Sequence, residues 1–354
     1  MKIAVDAMGG DYGPEAIVKG SLQTKPQDLL DLVLVGDGNE IRGILERHGK
    51  PSAMEVIHAP DVIGMDEAGP VAIRRKRESS LGSAMRLLGD GQVDAVVSAG
   101  NTSAIVAAAK LFVGLNSGLR RPALAVPLPT PNGRVLLVDA GAHFEADTIH
   151  LAHSAALAHV YLEVAEGVKN PRVGLLNIGH EPQKGKKPVR RAFSLLSRSG
   201  LNFVGNVEPQ DVFGNKTDAV VCDGFVGNVL LKMVEGLAES LLQFLEVQAA
   251  ELAPMDRGNL QGLFHRFRDL YHYQSIGGAP LLGSRKVVVI AHGRSQAGAV
   301  ANAIQLAAWL LEAGIYERMA EALDREQVLA ELKHQYTLLM LDRLRSRWSF
   351  AGRQ

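Results

Sequence analysis

The 354-residue sequence predicts an α/β fold, a largely parallel sheet covered by helices on both faces. Three observations predict it. Short β-branched and apolar runs lack polar alternation, the pattern of strands buried on both faces. Each run ends in a turn of small residues carrying one or two polar groups. A helix-period stretch then follows, giving the strand–turn–helix unit of a wound sheet.

The first unit is Ile3-Ala4-Val5 leading into Asp6-Ala7-Met8-Gly9-Gly10-Asp11. The run from Val93 to Val97 leads into Ser98-Ala99-Gly100-Asn101-Thr102, and that from Val135 to Val138 into Asp139-Ala140-Gly141-Ala142-His143. The run from Val173 to Leu176 leads into Asn177-Ile178-Gly179. The run from Ala219 to Cys222 leads into Asp223-Gly224-Phe225-Val226-Gly227-Asn228. The last unit is Val287 to Ala291 leading into His292-Gly293-Arg294-Ser295. Ligands on such sheets bind beyond the carboxyl ends of the strands, so these corners are expected to meet at one rim. Singly, each corner also reads as an ordinary turn or helix cap.

Two stretches depart from the unit. Leu230, Val234, Leu237, Leu241 and Leu245 form one helical stripe, Pro254 interrupts, and Leu260, Leu263, Phe264, Phe267, Leu270 and Tyr271 form a second. The second arm sets His265, Arg266 and Arg268 among large apolar groups, which suits a membrane surface; a dimer or core helix is the alternative. From Tyr316 the chain is helical and rich in Arg and Glu. The expected organisation is an α/β core over 1–228 and 276–313, a helical hairpin over 229–275 and a helical tail over 314–354.

Composition narrows the function. Lys and Arg number 38 against 38 Asp and Glu, so no global field favours nucleic acid or an anionic membrane. The single cysteine, Cys222, excludes an internal disulfide and fits a reducing compartment. With no signal-like start and no long apolar run, a cytoplasmic protein is expected. The P-loop, GxGxxG, GxSxG and HExxH patterns are missing. His150 and His153, near Glu145 and Asp147, fall short of a metal set. Cys222 ends a buried run with no base beside it, which suits a small hydrophobe rather than a nucleophile. Several corners do suit an oxyanion, since glycines admit the backbone and a helix N-terminus follows: Gly100-Asn101-Thr102-Ser103, Gly227-Asn228 and Gly293-Arg294-Ser295.

The corner sequences resemble the signature stretches of the PlsX-type phosphate acyltransferase family. Besides those quoted, Gly205-Asn206-Val207-Glu208 and Gly277-Gly278-Ala279-Pro280-Leu281-Leu282-Gly283 carry the resemblance, which runs in order from Met1 to about Ala313. It implies a fold like isopropylmalate dehydrogenase and phosphotransacetylase, a homodimer, and conversion of acyl-acyl carrier protein plus inorganic phosphate into acyl phosphate. It further implies peripheral membrane contact through the hairpin and delivery of product to a membrane glycerol-3-phosphate acyltransferase. This chain departs from the family pattern at His143, at His180 to Gln183 before Lys184-Gly185, at Ser103 and at Pro209-Gln210.

The implied chemistry needs no strong acid or base. Phosphate is already anionic at neutral pH, and a thiol of pKa about 8.5 leaves readily. Alignment of the reactants supplies roughly 7–11 kcal/mol, and one oxyanion donor about 2.7–4 kcal/mol. Phosphate is expected among Gly9, Gly10, Asn101, Thr102, Gly227 and Asn228, with Lys184 supplying charge. His292 and Ser295 are candidates for the leaving thiol or the oxyanion, and Asp6 and Asp223 orient donors. No cofactor and no metal are expected. An acidic carrier protein calls for a basic face, and Arg74, Arg75 and Arg77 or Arg190 and Arg191 are the candidates. Rival readings are phosphotransacetylase-like transfer between small acyl-CoA and phosphate, a decarboxylating dehydrogenase of this fold, and a non-catalytic scaffold for the carrier.

Overall fold

A computed structural model describes residues 1–24, 30–52, 54–131, 133–250, 260–264, 266–268, 277–325, 330, 332, 334, 336 and 337. Its strands are β1 (Lys2–Asp6), β2 (Asp31–Gly36), β3 (Glu55–His58), β4 (Ala95–Ser98), β5 (Ala123–Thr130), β6 (Gly133–Val138), β7 (Val173–Leu176), β8 (Phe203–Val207), β9 (Ala219–Val221), β10 (Gly278–Leu282) and β11 (Val287–Ala291). The helices are α1 (Gly13–Gln23), α2 (Gly38–Arg47), α3 (Gly69–Arg75), α4 (Ser80–Gly89), α5 (Thr102–Ala108), α6 (Thr148–Glu166), α7 (Lys187–Leu196), α8 (Gly224–Ala250), α9 (Ala297–Glu312) and α10 (Ile315–Arg325).

The strands form one mixed sheet of order β3-β2-β1-β4-β11-β10-β5-β6-β9-β7-β8. The first five are mutually parallel, and so are the last four. Between them β10 runs antiparallel to both β11 and β5, and β5 antiparallel to β6. The two parallel blocks therefore point in opposite directions. This corrects the expectation of one rim: the corners after β1, β4 and β11 leave one block, and those after β6, β7 and β9 leave the other.

Alternation along each strand divides the interior into two cores. Ile3 and Val5 face a core containing Ile41, Leu157 and Ile304, from α2, α6 and α9. Ala4 and Val96 face the other, which holds Ile73, Met85 and Ile105 from α3, α4 and α5. Both faces being covered is what allows strands without polar alternation. Helix α6 is apolar all round, and its residues from Thr148 to Leu162 are nearly all buried, as such a helix must be. Of the expected tail, Tyr316, Met319 and Leu323 pack into the first core, and the Tyr316 hydroxyl donates to the Leu281 carbonyl at 3.0 Å.

The hairpin stretch begins as the 27-residue α8, which starts at Gly224, and residues 260–264 and 266–268 are helical. His265, Leu270, Tyr271, Pro254 and the tail from 338 onward lie outside the described residues. Among the described residues no single helix is long and apolar enough to cross a membrane.

Candidate active site

The site opens where the sheet splits. Strand β10 meets β5 over only two residue pairs, at Leu124 and Ala123, while β6 follows β5 as far as Thr130. Beyond Leu124 one edge of β5 is unpaired, which is where Pro127 and Pro129 are tolerated, since neither has an N–H to donate. A cavity of about 400 Å3 lies over this opening. Its floor is apolar, from Leu124, Val126 and Leu128 on one face of β5 together with Ile290. Its other end is polar: Thr102, Asn228, Lys232, His292 and Arg294 line it, beside the carboxylates of Asp11 and Glu235. Corners from both blocks thus meet over the antiparallel centre.

On the first block, glycines let three turns touch. A Cβ on Gly9 would stand 2.7 Å from the Gly100 nitrogen, and one on Gly10 would stand 2.9 Å from the Gly293 carbonyl oxygen. Gly10 also has φ +92, open to glycine at little cost. Asp11 N–H donates to the Gly293 carbonyl at 2.7 Å, which joins the turns after β1 and β11. Asp6 is buried, accepting from the Ser98 hydroxyl at 2.7 Å, and burial pushes its carboxyl up despite that bond. Asp6, Gly9 and Gly10 shape the corner from behind and are not among the residues that line the cavity.

Asn101 is likewise engaged within its corner. Its amide nitrogen donates to the carbonyls of Gly64, Met65 and Glu67, and its oxygen caps α5 at the Ala104 N–H, 3.1 Å away. Every polar valence of the side chain is occupied in fixing the 64–67 loop to the helix. Ser295 is buried, and its hydroxyl has no partner and no place in the cavity lining.

On the second block the organising group is Asp139. Its Oδ1 accepts from the N–H of Leu124, Gly141 and Ala142 at 3.1, 3.1 and 2.8 Å, and its Oδ2 from His143 at 2.9 Å. Burial pushes the carboxyl up to about 6 against the pull of these four amides. Helix α8 docks on this corner through Gly227, where a Cβ would stand 1.9 Å from the Asp139 carbonyl oxygen. Asp223 caps the same helix, accepting from Val226 N–H at 2.9 Å. Gly227 and Asp223 therefore position Asn228 and do not face the cavity. Cys222 lies buried with its sulfur 3.7 Å from the Asp139 carbonyl, and burial pushes the thiol up, away from nucleophilic use.

Lys184 does not reach this cavity. Its exposed side chain stands on the loop after β7, where its carbonyl accepts from the Asn177 amide at 3.1 Å and its N–H donates to Glu181. Nearby, His180, Glu208 and Asp211 bring one ligand atom each within 4.8 Å of the others, and Lys216 pairs with Asp211. Of the docking candidates, Arg74, Arg75 and Arg77 are exposed at the end of α3, Arg190 donates to the Gln183 carbonyl at 3.4 Å, and Arg191 is half-buried with Nε unpartnered.

Comparison with known proteins shows the family. Residues 1–318 match the family described as "Fatty acid synthesis protein". A phosphate acyltransferase of Syntrophobacter fumaroxidans is 58% identical over 353 residues, covering 100% of both chains. One from Aquifex aeolicus is 40% identical over 323 residues, 90% of this chain and 96% of its own. The chain belongs to the phosphate acyltransferase family. It is thus an acyltransferase. Among solved structures, a phosphotransacetylase from Streptococcus pyogenes matches with a TM-score of 0.57 at 17% identity, over 90% of this chain and 94% of its own. A branched-chain phosphotransacylase from Enterococcus faecalis V583 matches at 0.53 and 14%, over 88% and 99%. These two share the fold.

In this acyltransferase the structure adds two cavity residues that sequence reasoning passed over. Lys232 lies one helical turn beyond Asn228, and with Leu231 and Glu235 it continues the face that Asn228 begins. Its Nζ contacts Nε2 of His292 and pairs with Glu235 at 2.8 Å. Arg294 sits inside a corner already singled out, and its N–H donates to Nδ1 of His292 at 3.1 Å. Burial first, then the Lys232 charge, holds His292 below the usual imidazole value, which favours the uncharged ring at neutral pH.

Proposed function

We propose that the enzyme moves a long-chain acyl group from acyl-acyl carrier protein to inorganic phosphate, releasing acyl phosphate for phospholipid synthesis. The observation that carries this reading is one cavity joining an apolar floor to a polar end where Lys232 and Arg294 stand beside Asp11 and Glu235. The acyl chain lies along Leu124, Val126 and Leu128, and phosphate sits toward Thr102, Asn228, Lys232 and Arg294. A phosphate oxygen bonds to the thioester carbonyl carbon, the carbon–sulfur bond breaks, and the thiolate departs and takes a proton from water. His292, whose Nδ1 accepts from the Arg294 N–H and whose Nε2 contacts Lys232, acts on the oxyanion or the departing sulfur through the Lys232 ammonium. Positioning and charge do the work, with no covalent intermediate.

Lys232→Ala and Arg294→Ala test the phosphate end. Each is expected to raise KM for phosphate at least tenfold while KM for the acyl donor stays within twofold; unchanged phosphate KM in both removes the assignment. Lys184→Ala belongs in the same series. Full activity makes the cavity sufficient, and lost activity brings the loop after β7, from this copy or a second one, into the site.

The enzyme works as a homodimer at the membrane edge, in the cytoplasm, handing product to a membrane glycerol-3-phosphate acyltransferase. Support comes from α8, where Met233, Leu237 and Phe244 are 70%, 67% and 60% exposed, an apolar load beyond that of an ordinary solvated helix. Arg74, Arg75 and Arg77, or Arg190 and Arg191, dock the acidic carrier. Transfer between small acyl-CoA and phosphate is the second reading, favoured only by the shared fold. Comparing long-chain carrier thioesters with acetyl-CoA separates the two.

A further inference from the structure

The apolar cavity has two neighbours, and their charges differ. One, of about 650 Å3, runs along α8 and balances Lys232, Arg268 and Arg294 against Glu235, Glu239 and Glu246. The other, of about 840 Å3, lies between α3, α5 and the corner after β6, and carries Arg74, Lys110 and Arg121 against one carboxylate, Glu145. Phe144, 65% exposed, lines both this basic groove and the apolar cavity, so the two adjoin across its ring.

The groove's cations are not committed to carboxylates. Lys110 donates to the Arg120 carbonyl at 3.1 Å and Arg121 to the Glu145 carbonyl at 3.0 Å. Among the described residues none of Arg74, Lys110 and Arg121 forms an ion pair. His143 lines the same groove as a half-buried ring. Burial and the neighbouring Arg121 and Lys110 charges hold this imidazole neutral, down to about 4. The groove therefore offers three cations to an anion, on an apolar base that includes Ile73, Val106 and Leu111.

We infer that this groove holds the phosphopantetheine arm of the acyl donor. Its phosphodiester lies against Arg74, Lys110 and Arg121, and its thioester passes Phe144 into the apolar cavity. The groove along α8, with acids matching its cations, is the poorer host for such an arm. The inference rests on the proposed transfer to phosphate and adds where the donor's arm lies.

The test uses two synthetic thioesters of one fatty acid, on 4′-phosphopantetheine and on pantetheine, each assayed with the full-length enzyme and inorganic phosphate. The wild-type enzyme is expected to favour the phosphorylated donor at least tenfold in kcat/KM. Arg74→Gln and Arg121→Gln each reduce that ratio, and the double variant brings it to within twofold of unity. Both donors share acyl group and acceptor, so a general loss of folded enzyme cancels in the ratio, and Arg74 is exposed enough to tolerate the change. A wild-type ratio near one, or an undiminished ratio in the double variant, overturns the inference. Absence of phosphate-dependent turnover of either donor defeats instead the proposed reaction.

Discussion

Replacing Asp139 with asparagine separates the charge of this residue from its hydrogen bonds. The carboxyl moves from 3.8 to about 6 on folding, because burial outweighs four amide donors. With its folded value raised, the group contributes stability that is fully present below about pH 4 and lost as pH rises through about 6. The two-unit difference is worth about 3 kcal/mol in all, of which about 1 kcal/mol is lost between pH 5 and pH 7.5. Asparagine keeps an oxygen for Leu124, Gly141 and Ala142 but turns an NH2 toward the His143 N–H, which costs about 1–3 kcal/mol at any pH. Urea unfolding of both proteins across this range cancels every other titrating group. The destabilisation by Asp139→Asn should shrink by about 1 kcal/mol from pH 5 to pH 7.5. A constant difference would refute the argument that burial dominates this carboxyl.

Two further outcomes follow from the packing. Gly227→Ala drives a methyl into the Asp139 carbonyl and forces α8 off its corner, so it should cost about 1–3 kcal/mol or more in urea unfolding and lower turnover with Asn228 displaced. Val126→Trp fills the apolar floor; each methylene denied burial costs about 0.8 kcal/mol, roughly fourfold in kcat/KM. Long-chain donors should therefore suffer progressively more than short ones, and an equal loss at every chain length removes the floor as the acyl site.

Much of the fold was legible because strands covered on both faces announce themselves as apolar runs, and all six corners do follow strands. Strand β2 bears that mark in Leu32-Val33-Leu34-Val35 and was passed over, whereas β3 and β5 lack it. In β3 the residues Glu55-Val56-Ile57-His58 are only partly buried at the sheet's edge. Strand β5 carries two prolines in the middle of the sheet, a pattern that ordinarily speaks against a central strand, and here it marks the split that makes the cavity. The sequence Thr130-Pro131-Asn132-Gly133 marks the β5–β6 reversal, but the antiparallel meeting of β10 with β5 has no signature in local pattern, so a single rim was the natural expectation.

The site was legible at its corners and not in its details. Asn228, Thr102 and His292 were identified and do line the cavity. Asn101, Asp6, Gly9 and Gly227 belong to the same corners but serve packing and capping, a distinction that turns on which way a side chain points. Lys232 was hidden because, in sequence, a lysine on an apolar helix reads as a solvated residue, and only the fold shows that its helical face is the one Asn228 begins. Lys184 had the motif, yet the two blocks carry its loop to a different place.

The central claim is that phosphate itself is the acyl acceptor. The most direct measurement follows thiol release from long-chain acyl-acyl carrier protein as inorganic phosphate is varied, with hydroxylamine trapping of the product. Thiol release should depend saturably on phosphate, with one trapped acyl phosphate for each thiol released. Thiol release that is indifferent to phosphate, with free fatty acid as the product, would contradict it.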